Sequence, residues 1–316
     1  MPSKHFSRVN SGNSDLPFSY VPETSDNIDD TLIMKVTVAS GKGGTGKSMV
    51  AANLAWALSE TSPVTLVDCD VEEPNLHLFF PQDPIEREEV TVPVPSIDLD
   101  RCTFCGDCAG FCAYGALLVT KDRVLFFPDL CHSCGGCSLI CLAGAIKETQ
   151  RSIGTLTLRH ISDRLHIVTG TLQEGDVLAT KVIREAKRIA ERPGWIVYDA
   201  SPGTSCPVVE TLQGSDLCLL VTESTPFGLH DLELAYSVTS YMGIPSGVVI
   251  NLSDGRDKET RAFCEEKEIP VFATIPFDRW IAHVQGVGDL ISRRDSFWKD
   301  RFIALGMACC SRVEEL

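Results

Sequence analysis

The chain has 316 residues and 44 % hydrophobic content, enough for a substantial core in one large or two modest domains. Its formal net charge of −15 argues against nucleic acid or an anionic membrane surface as the main partner, because both are polyanions. No apolar run approaches the ~18 residues that a membrane-spanning helix needs, and the start of the chain carries no apolar export core, so a cytoplasmic protein without stable membrane insertion is expected.

Residues 1–30 are polar, rich in Ser, Asn and Asp, and read as a disordered tail. The apolar run Leu32–Ala39 predicts a strand, and Ser48–Leu58 predicts a helix. Between them stands Ser40-Gly41-Lys42-Gly43-Gly44-Thr45-Gly46-Lys47-Ser48. Strand, glycine-rich turn and helix start make the context of a phosphate-binding loop. Backbone N–H groups of Gly43, Gly44, Thr45 and Gly46 can turn inward around a phosphate, helped by the positive end of the helix behind them. Lys47 can reach the terminal phosphates, and the Ser48 hydroxyl can hold Mg²⁺.

Val64–Asp68 predicts a short buried strand that ends in an acidic turn containing Asp68 and Asp70. Carboxylates at the carboxyl end of a parallel strand lie beside the phosphate crevice of a doubly wound sheet. There they can orient an attacking water or hold the water shell of magnesium; the plainer reading is a pair of turn-capping aspartates. Residues 82–97 change character, with recurring prolines and clustered acids, and read as a linker into an insertion. The insertion is rich in cysteine. Eight of the fourteen cysteines fall into two runs, Cys102, Cys105, Cys108 and Cys112, then Cys131, Cys134, Cys137 and Cys141. Such regular spacing points to metal binding in a reducing compartment. Structural zinc competes, but zinc sites use two short pairs per metal, not three evenly spaced cysteines plus one.

Beyond the insertion, Leu165–Thr169 predicts a strand, and residues 175–192 a helix from the spacing of Val177, Leu178, Val182, Ile183, Ala186 and Ile189. Trp195–Tyr198 predicts a strand running into Asp199, followed four residues later by Gly203. Strands are expected over Asp216–Thr222, Ser246–Asn251 and Ile269–Ile275, with a helix over Gly228–Tyr241. A last helix, Arg294–Ser311, carries Phe297, Trp298, Phe302, Ile303 and Leu305; core packing suits it better than a membrane-surface role, because it has few basic residues and flanking acids. The alternation predicts an α/β fold with a mostly parallel, doubly wound sheet and a small α+β insertion. The expected division is a tail at 1–30, a nucleotide-binding domain at 31–91 and 151–316, and an insertion at 92–150.

Lys42, directly after the first loop glycine, gives the loop the spelling Lys-Gly-Gly-x-x-Gly-Lys-Ser, which resembles the deviant Walker A loop of the MinD/ParA/Mrp and nitrogenase-iron-protein group. Further stretches carry the same resemblance: Val67–Phe80, Asp199–Glu210 and Thr222–Ala235. The doubled cysteine run resembles a bacterial two-cluster ferredoxin, although Ala113 and Leu142 stand where proline usually follows the fourth cysteine. The chain thus looks like a MinD-superfamily P-loop ATPase with an inserted ferredoxin unit.

The resemblance implies ATP with Mg²⁺ at a loop that includes Gly41, and a nucleotide-dependent dimer, with itself or a paralogue, in which Lys42 reaches the neighbouring subunit's nucleotide. It implies that Asp70 orients the attacking water, Asp199 binds Mg²⁺ through water, the Gly203 N–H senses the γ-phosphate, Asn251 pairs with the adenine edge and Pro276 helps wrap the base. It implies two [4Fe-4S] clusters with crossed ligation: Cys102, Cys105, Cys108 and Cys141 for one, Cys131, Cys134, Cys137 and Cys112 for the other. Cys206, seven residues after Asp199, matches the offset of a cluster ligand in the nitrogenase iron protein, but a small buried cysteine is the stronger reading, and Cys69, Cys218 and Cys264 also read as core. Three roles fit: ATP-gated electron transfer to a redox partner protein, ATP-driven assembly or delivery of a metallocluster to a partner protein, and a positioning ATPase with structural clusters.

Overall fold

The computed structural model describes residues 33–315; the predicted tail lies outside the described residues. In chain order the elements are β1 (Ile33–Ala39), α1 (Lys47–Leu58), β2 (Val64–Asp68), β3 (Glu86–Ile97), α2 (Asp107–Phe111), β4 (Leu117–Val119), β5 (Val124–Phe126), α3 (Gly136–Ile140), β6 (Ile146–Ser162) and β7 (Leu165–Leu172). They continue with α4 (Ala179–Ala190), β8 (Gly194–Asp199), α5 (Cys206–Leu212), β9 (Leu217–Glu223), α6 (Pro226–Tyr241), β10 (Ser246–Ser253), α7 (Lys258–Glu266), β11 (Val271–Pro276), α8 (Arg279–Gly286), α9 (Ile291–Arg294) and α10 (Ser296–Glu314).

Nine strands form one sheet in the order β11-β10-β9-β1-β8-β2-β7-β6-β3. From β11 to β7 neighbouring strands pair parallel; β6 and β3 are added antiparallel at the edge. The fold is α/β. Its central strands are apolar on both faces because helices cover both. In β9, Leu217, Leu219 and Val221 face a core shared with α1 and α10, whereas Cys218 and Leu220 face a core shared with α5, α6 and α7. Helix α10 buries Phe302, Leu305 and Cys309 in the first of these cores, so the last helix packs inward. Cys69, Cys218 and Cys264 are buried, as their sequence context suggests. No helix among the described residues is long and apolar enough to cross a membrane.

The stretch read as a linker is different in the structure. Residues 86–97 are the strand β3, paired along its whole length with β6. Its prolines are tolerated because β3 is the edge strand and needs hydrogen bonds on one side only. Val90, Val92 and Val94 alternate inward onto α4 and β6, which gives the strand its buried face. The arm made by β3 and β6 leaves the sheet and carries the cysteine-bearing segment at its tip. There Cys108, Leu117 and Ile146 form a small separate core, with Ile97, Val124 and Phe126 packed against it.

A histidine pair marks the sheet near this edge. His160 stacks on His166 with ring centroids 4.8 Å apart. Burial pushes the His166 imidazole down to about 4, and nearby Arg192 and His160 add to the effect. The unfolded chain therefore takes up a proton near pH 6.5 that the native state refuses until about pH 4. Stability present at neutral pH will be lost as pH falls through this window, by up to about 3 kcal/mol. Urea titrations at pH 7 and pH 5 will show the loss in the parent chain and a flatter dependence in His166→Phe; equal slopes would remove His166 as the cause.

Candidate functional site

The loop between β1 and α1 sits where the carboxyl ends of β1, β2, β8 and β9 meet, at the switch point of the sheet, where α/β folds bind ligands. A cleft of about 460 Å³ opens over it. Lys42, Gly43, Gly44, Thr45, Gly46, Lys47, Ser48 and Asp70 all line this cleft. Gly46 adopts φ +88°, and a Cβ there would lie 2.1 Å from the Asn251 amide nitrogen, so only glycine fits.

The remaining expected residues stand around that lining. Lys47 is 7 % exposed, and its Nζ lies 2.9 Å from Asp199 Oδ1. Burial alone would depress the ammonium, but Asp199, with Asp70 and Asp68 behind it, holds it above the usual lysine value. Burial, with the nearby Asp199 carboxylate adding, pushes the Asp70 carboxyl up against the opposing pull of Lys47. Asp68 is fully buried and accepts the backbone N–H groups of Asp70, Asn75 and Leu76, which folds the acidic turn. The Asn251 Nδ2 donates to the Thr45 carbonyl at 2.7 Å, which fixes the loop from behind. The Gly203 N–H donates to the Ser40 carbonyl at 2.9 Å. Gly41 packs against Asp231 in the second turn of α6. Pro276 is at the exposed end of β11 and does not line the cleft.

Four buried polar atoms around the loop, Thr45 Oγ1, Asn75 Oδ1, Asp199 Oδ2 and Asn251 Oδ1, find no hydrogen-bond partner among the described residues. Buried polar groups are normally satisfied, so such a concentration at one cleft fits a polar ligand. Lys42 carries a contact that the sequence does not signal. Its Nζ meets Glu223 Oε1 at 2.6 Å, with Asp231 Oδ2 at 4.0 Å. Glu223 and Asn75 lie within stretches that carry the family resemblance, but only the meeting of distant strand ends with the loop brings them to the site.

At the arm tip, the thiols group across the two runs. One cavity is lined by Cys102, Cys105, Cys108 and Cys141, and a second by Cys112, Cys131, Cys134 and Cys137. Each run thus sends its fourth cysteine to the cavity of the other. No three His, Cys, Asp or Glu side chains among the described residues converge as ligands of a single ion do; four thiols ring each cavity instead. The two loops are built alike. Phe104 and Ser133 adopt φ +54° and +53°, and each is followed after one cysteine by Gly106 or Gly135 at φ +84° or +72°. A non-glycine residue in the left-handed region is strained, and its repetition in both loops marks a backbone shaped for the thiols. Cys206 lies apart, exposed at the first position of α5, and so departs from the buried reading; it follows the switch-like turn at Asp199–Gly203 and faces solvent there.

Hydrogen bonds tie strand β6 of the arm to the turns beside the cleft. The Leu172 N–H donates to the Val71 carbonyl at 2.7 Å, and the Gln173 N–H to the Ile153 carbonyl of β6 at 2.8 Å. Arg151 of β6 pairs with Asp176 at 2.5 Å, ahead of α4. From α4, Arg184 grips Glu210 through two bonds of 3.1 and 2.7 Å, and Lys187 Nζ donates to the carbonyls of Glu210, Thr211 and Gln213 at the end of α5.

Known proteins place this geometry in a family. The CobQ/CobB/MinD/ParA nucleotide binding domain profile matches residues 36–290. The uncharacterized protein MJ0579 of Methanocaldococcus jannaschii is 34 % identical over 222 residues, 69 % of this chain and 80 % of that protein. An iron-sulfur cluster carrier protein of Aquifex aeolicus is 50 % identical over 58 residues, 18 % of this chain and 15 % of that protein. The fold is similar to the septum site-determining protein MinD of Pyrococcus horikoshii, solved with Mg-ADP, at a TM-score of 0.54 and 20 % identity over 87 % of this chain and 94 % of that one. A plasmid partition protein of Borrelia burgdorferi, solved with AMPPNP, superimposes with the same TM-score at 14 % identity, covering 88 % of this chain and 99 % of that one. The chain belongs to the CobQ/CobB/MinD/ParA family of nucleotide-binding domains.

Proposed function

We propose that this chain binds and hydrolyses ATP and couples its nucleotide state to electron transfer through two [4Fe-4S] clusters at the arm tip. The observation that carries the coupling is the run of β6 from the thiol cavities into the nucleotide sheet, joined to the Asp70 turn through Gln173, Leu172 and Val71.

The Gly43–Gly46 amides cradle the phosphates, and Lys47 and Lys42 neutralise the charge that develops on them. Ser48 and the unpartnered Asp199 Oδ2 suit a magnesium ion with its water shell. The unpartnered Asn251 Oδ1 suits the amino group of adenine. Asp70 orients water for in-line attack. A γ-phosphate that drew the Gly203 N–H away from Ser40 would shift α5, and through Arg184 and Lys187 would load α4 and the arm. Cys102, Cys105, Cys108 and Cys141 fit one cluster, and Cys112, Cys131, Cys134 and Cys137 the other; such clusters supply one-electron transfer when bound. The functional unit is a nucleotide-dependent dimer that meets a redox partner.

Asp70→Ala will keep nucleotide binding and lose turnover by about a hundredfold, the usual worth of a positioned water-activating group. Phosphate release at saturating ATP, read beside binding of a fluorescent ATP analogue, checks both halves; turnover at the parent rate would remove Asp70 from the mechanism.

The iron-sulfur cluster carrier relative favours a second reading, in which ATP drives delivery of a metallocluster. Anaerobically purified protein, titrated by electron paramagnetic resonance with and without ATP and Mg²⁺ and with iron counted on the same sample, separates the two. Potentials or signals that move with nucleotide at about eight irons support gated electron transfer. Nucleotide-insensitive signals with extra labile iron support delivery.

A further inference from the structure

We propose that the stacked pair Tyr114–His132 is a clip that holds one thiol cavity closed, so that the other cavity is the one that gives up its iron first. The inference rests on the reading that both cavities bind [4Fe-4S] clusters. The cavities stand at different heights on the arm. Pro93 and Pro95 of β3 and Glu148 of β6 line the cavity that Cys112 completes, which is therefore the inboard one, nearer the nucleotide sheet. Ile97 and Ile146, paired at the far end of the same two strands, line the cavity that Cys141 completes, the outboard one.

Each cavity takes three thiols from one run and its fourth from the other, so each opens where that fourth cysteine parts from the other run. The turns that carry the fourth cysteines match. The Gly115 N–H donates to the Cys112 carbonyl at 3.1 Å and the Gly144 N–H to the Cys141 carbonyl at 2.9 Å, with the glycines at φ +65° and +56°. Tyr114 and Ala143 hold the same place in these turns, and His132 and Thr103 the same place directly after the first cysteine of each run. Only the inboard combination is aromatic. Its rings stack with centroids 3.6 Å apart at 14°, across the joint where Cys112 meets the second run. Both rings line the inboard cavity, and Tyr114 is half exposed, so the pair is part of the wall between those thiols and solvent. At the outboard cavity the joint is held by an exposed side chain, Arg101, whose Nη2 donates to the Ala143 carbonyl at 3.3 Å. Stacked rings attract beyond the area that they bury, whereas a long, exposed hydrogen bond is nearly balanced by water. Withdrawing the fourth cysteine therefore costs more at the inboard cavity.

The test uses the full chain with its iron reconstituted anaerobically, challenged with a coloured ferrous chelator. Iron release is followed in time beside the cluster absorption. The parent is expected to release its iron in two phases of about four irons each. Cys102→Ala, which spares the inboard cavity, should show the slow phase alone, and Cys131→Ala, which spares the outboard one, the fast phase alone. Tyr114→Ala should speed the slow phase about three- to tenfold, the worth of one aromatic pair read as a rate, and leave the fast phase unchanged. Tyr114→Phe keeps the stack and should release iron as the parent does. The transplant Thr103→His with Ala143→Tyr should slow the fast phase, a gain that a damaged fold does not produce. A single release rate in the parent, a fast phase in Cys102→Ala, or a slow phase that Tyr114→Ala leaves unchanged overturns the clip. Equal acceleration of both phases by Tyr114→Ala overturns it too. A reconstituted parent without iron or cluster absorption overturns the cluster reading itself, and the clip with it.

Discussion

Lys47→Met will reduce ATP affinity by about a hundredfold or more and will also lower stability, and the two effects are separable. Lys47 is the buried partner of Asp199, with Asp68 and Asp70 close by. Removing the ammonium leaves the fully buried Asp199 carboxylate without its partner, beside Asp68, whose carboxyl burial pushes up to about 8; a broken buried pair of this kind costs about 3–5 kcal/mol. A protein that merely unfolded would lose binding for a trivial reason. The companion variant Lys47→Met with Asp199→Asn removes both charges and should restore most of the stability, because isosteric removal of both partners is far less costly than removal of one. It should not restore binding, because neither the phosphate contact nor the magnesium-facing oxygen returns. Thermal melts and calorimetric titration with ATP and Mg²⁺ decide this. Recovery of binding along with stability would make Lys47 a structural residue.

The second large effect concerns the thiols. On the proposed reading, any single exchange of a cysteine lining either cavity for alanine should reduce bound iron from about eight to about four per chain. Pairs of exchanges then test the crossed grouping seen in the cavities. Cys102→Ala with Cys141→Ala strikes one cavity twice and should still leave about four irons. Cys102→Ala with Cys112→Ala strikes both cavities and should leave almost none, although both residues belong to the same run. Iron determination with electron paramagnetic resonance on anaerobic samples reads the outcome. If Cys102 and Cys112 together spare four irons, ligation follows the sequence runs and the crossing is wrong.

The cysteine runs and the phosphate loop were legible before any coordinates because local spacing defines them. A loop that wraps a phosphate, and a turn that presents three thiols, are each built within about ten residues, and the residue types needed at each position leave a signature in the chain. The alternation of strand and helix announced the α/β fold for the same reason, since buried parallel strands and amphipathic helices each carry their own period. Residues 86–97 were misread because two prolines are a strong local signal for a linker, whereas their acceptability depends on β3 being an edge strand, a property of the sheet and not of the segment. Cys206 was misread in the same manner: its solvent-facing place at the start of α5 follows from the packing around the turn, which no local pattern encodes.

The tertiary structure alone decided what the loop lysines touch. Lys47 and Asp199 are far apart in the chain, as are Lys42 and Glu223, and each pair forms because parallel strands deliver their carboxyl ends to one edge of the sheet. It also decided that the arm is continuous with the sheet, so that hydrogen bonds run from Val71 through Leu172, Gln173 and Ile153 towards the thiols. Local residue patterns point to the chemistry open to this chain, because each candidate binding element lies within one short stretch. Which groups pair and which carboxyls are buried side by side were settled only by the fold, because those relations join residues that the chain order keeps apart.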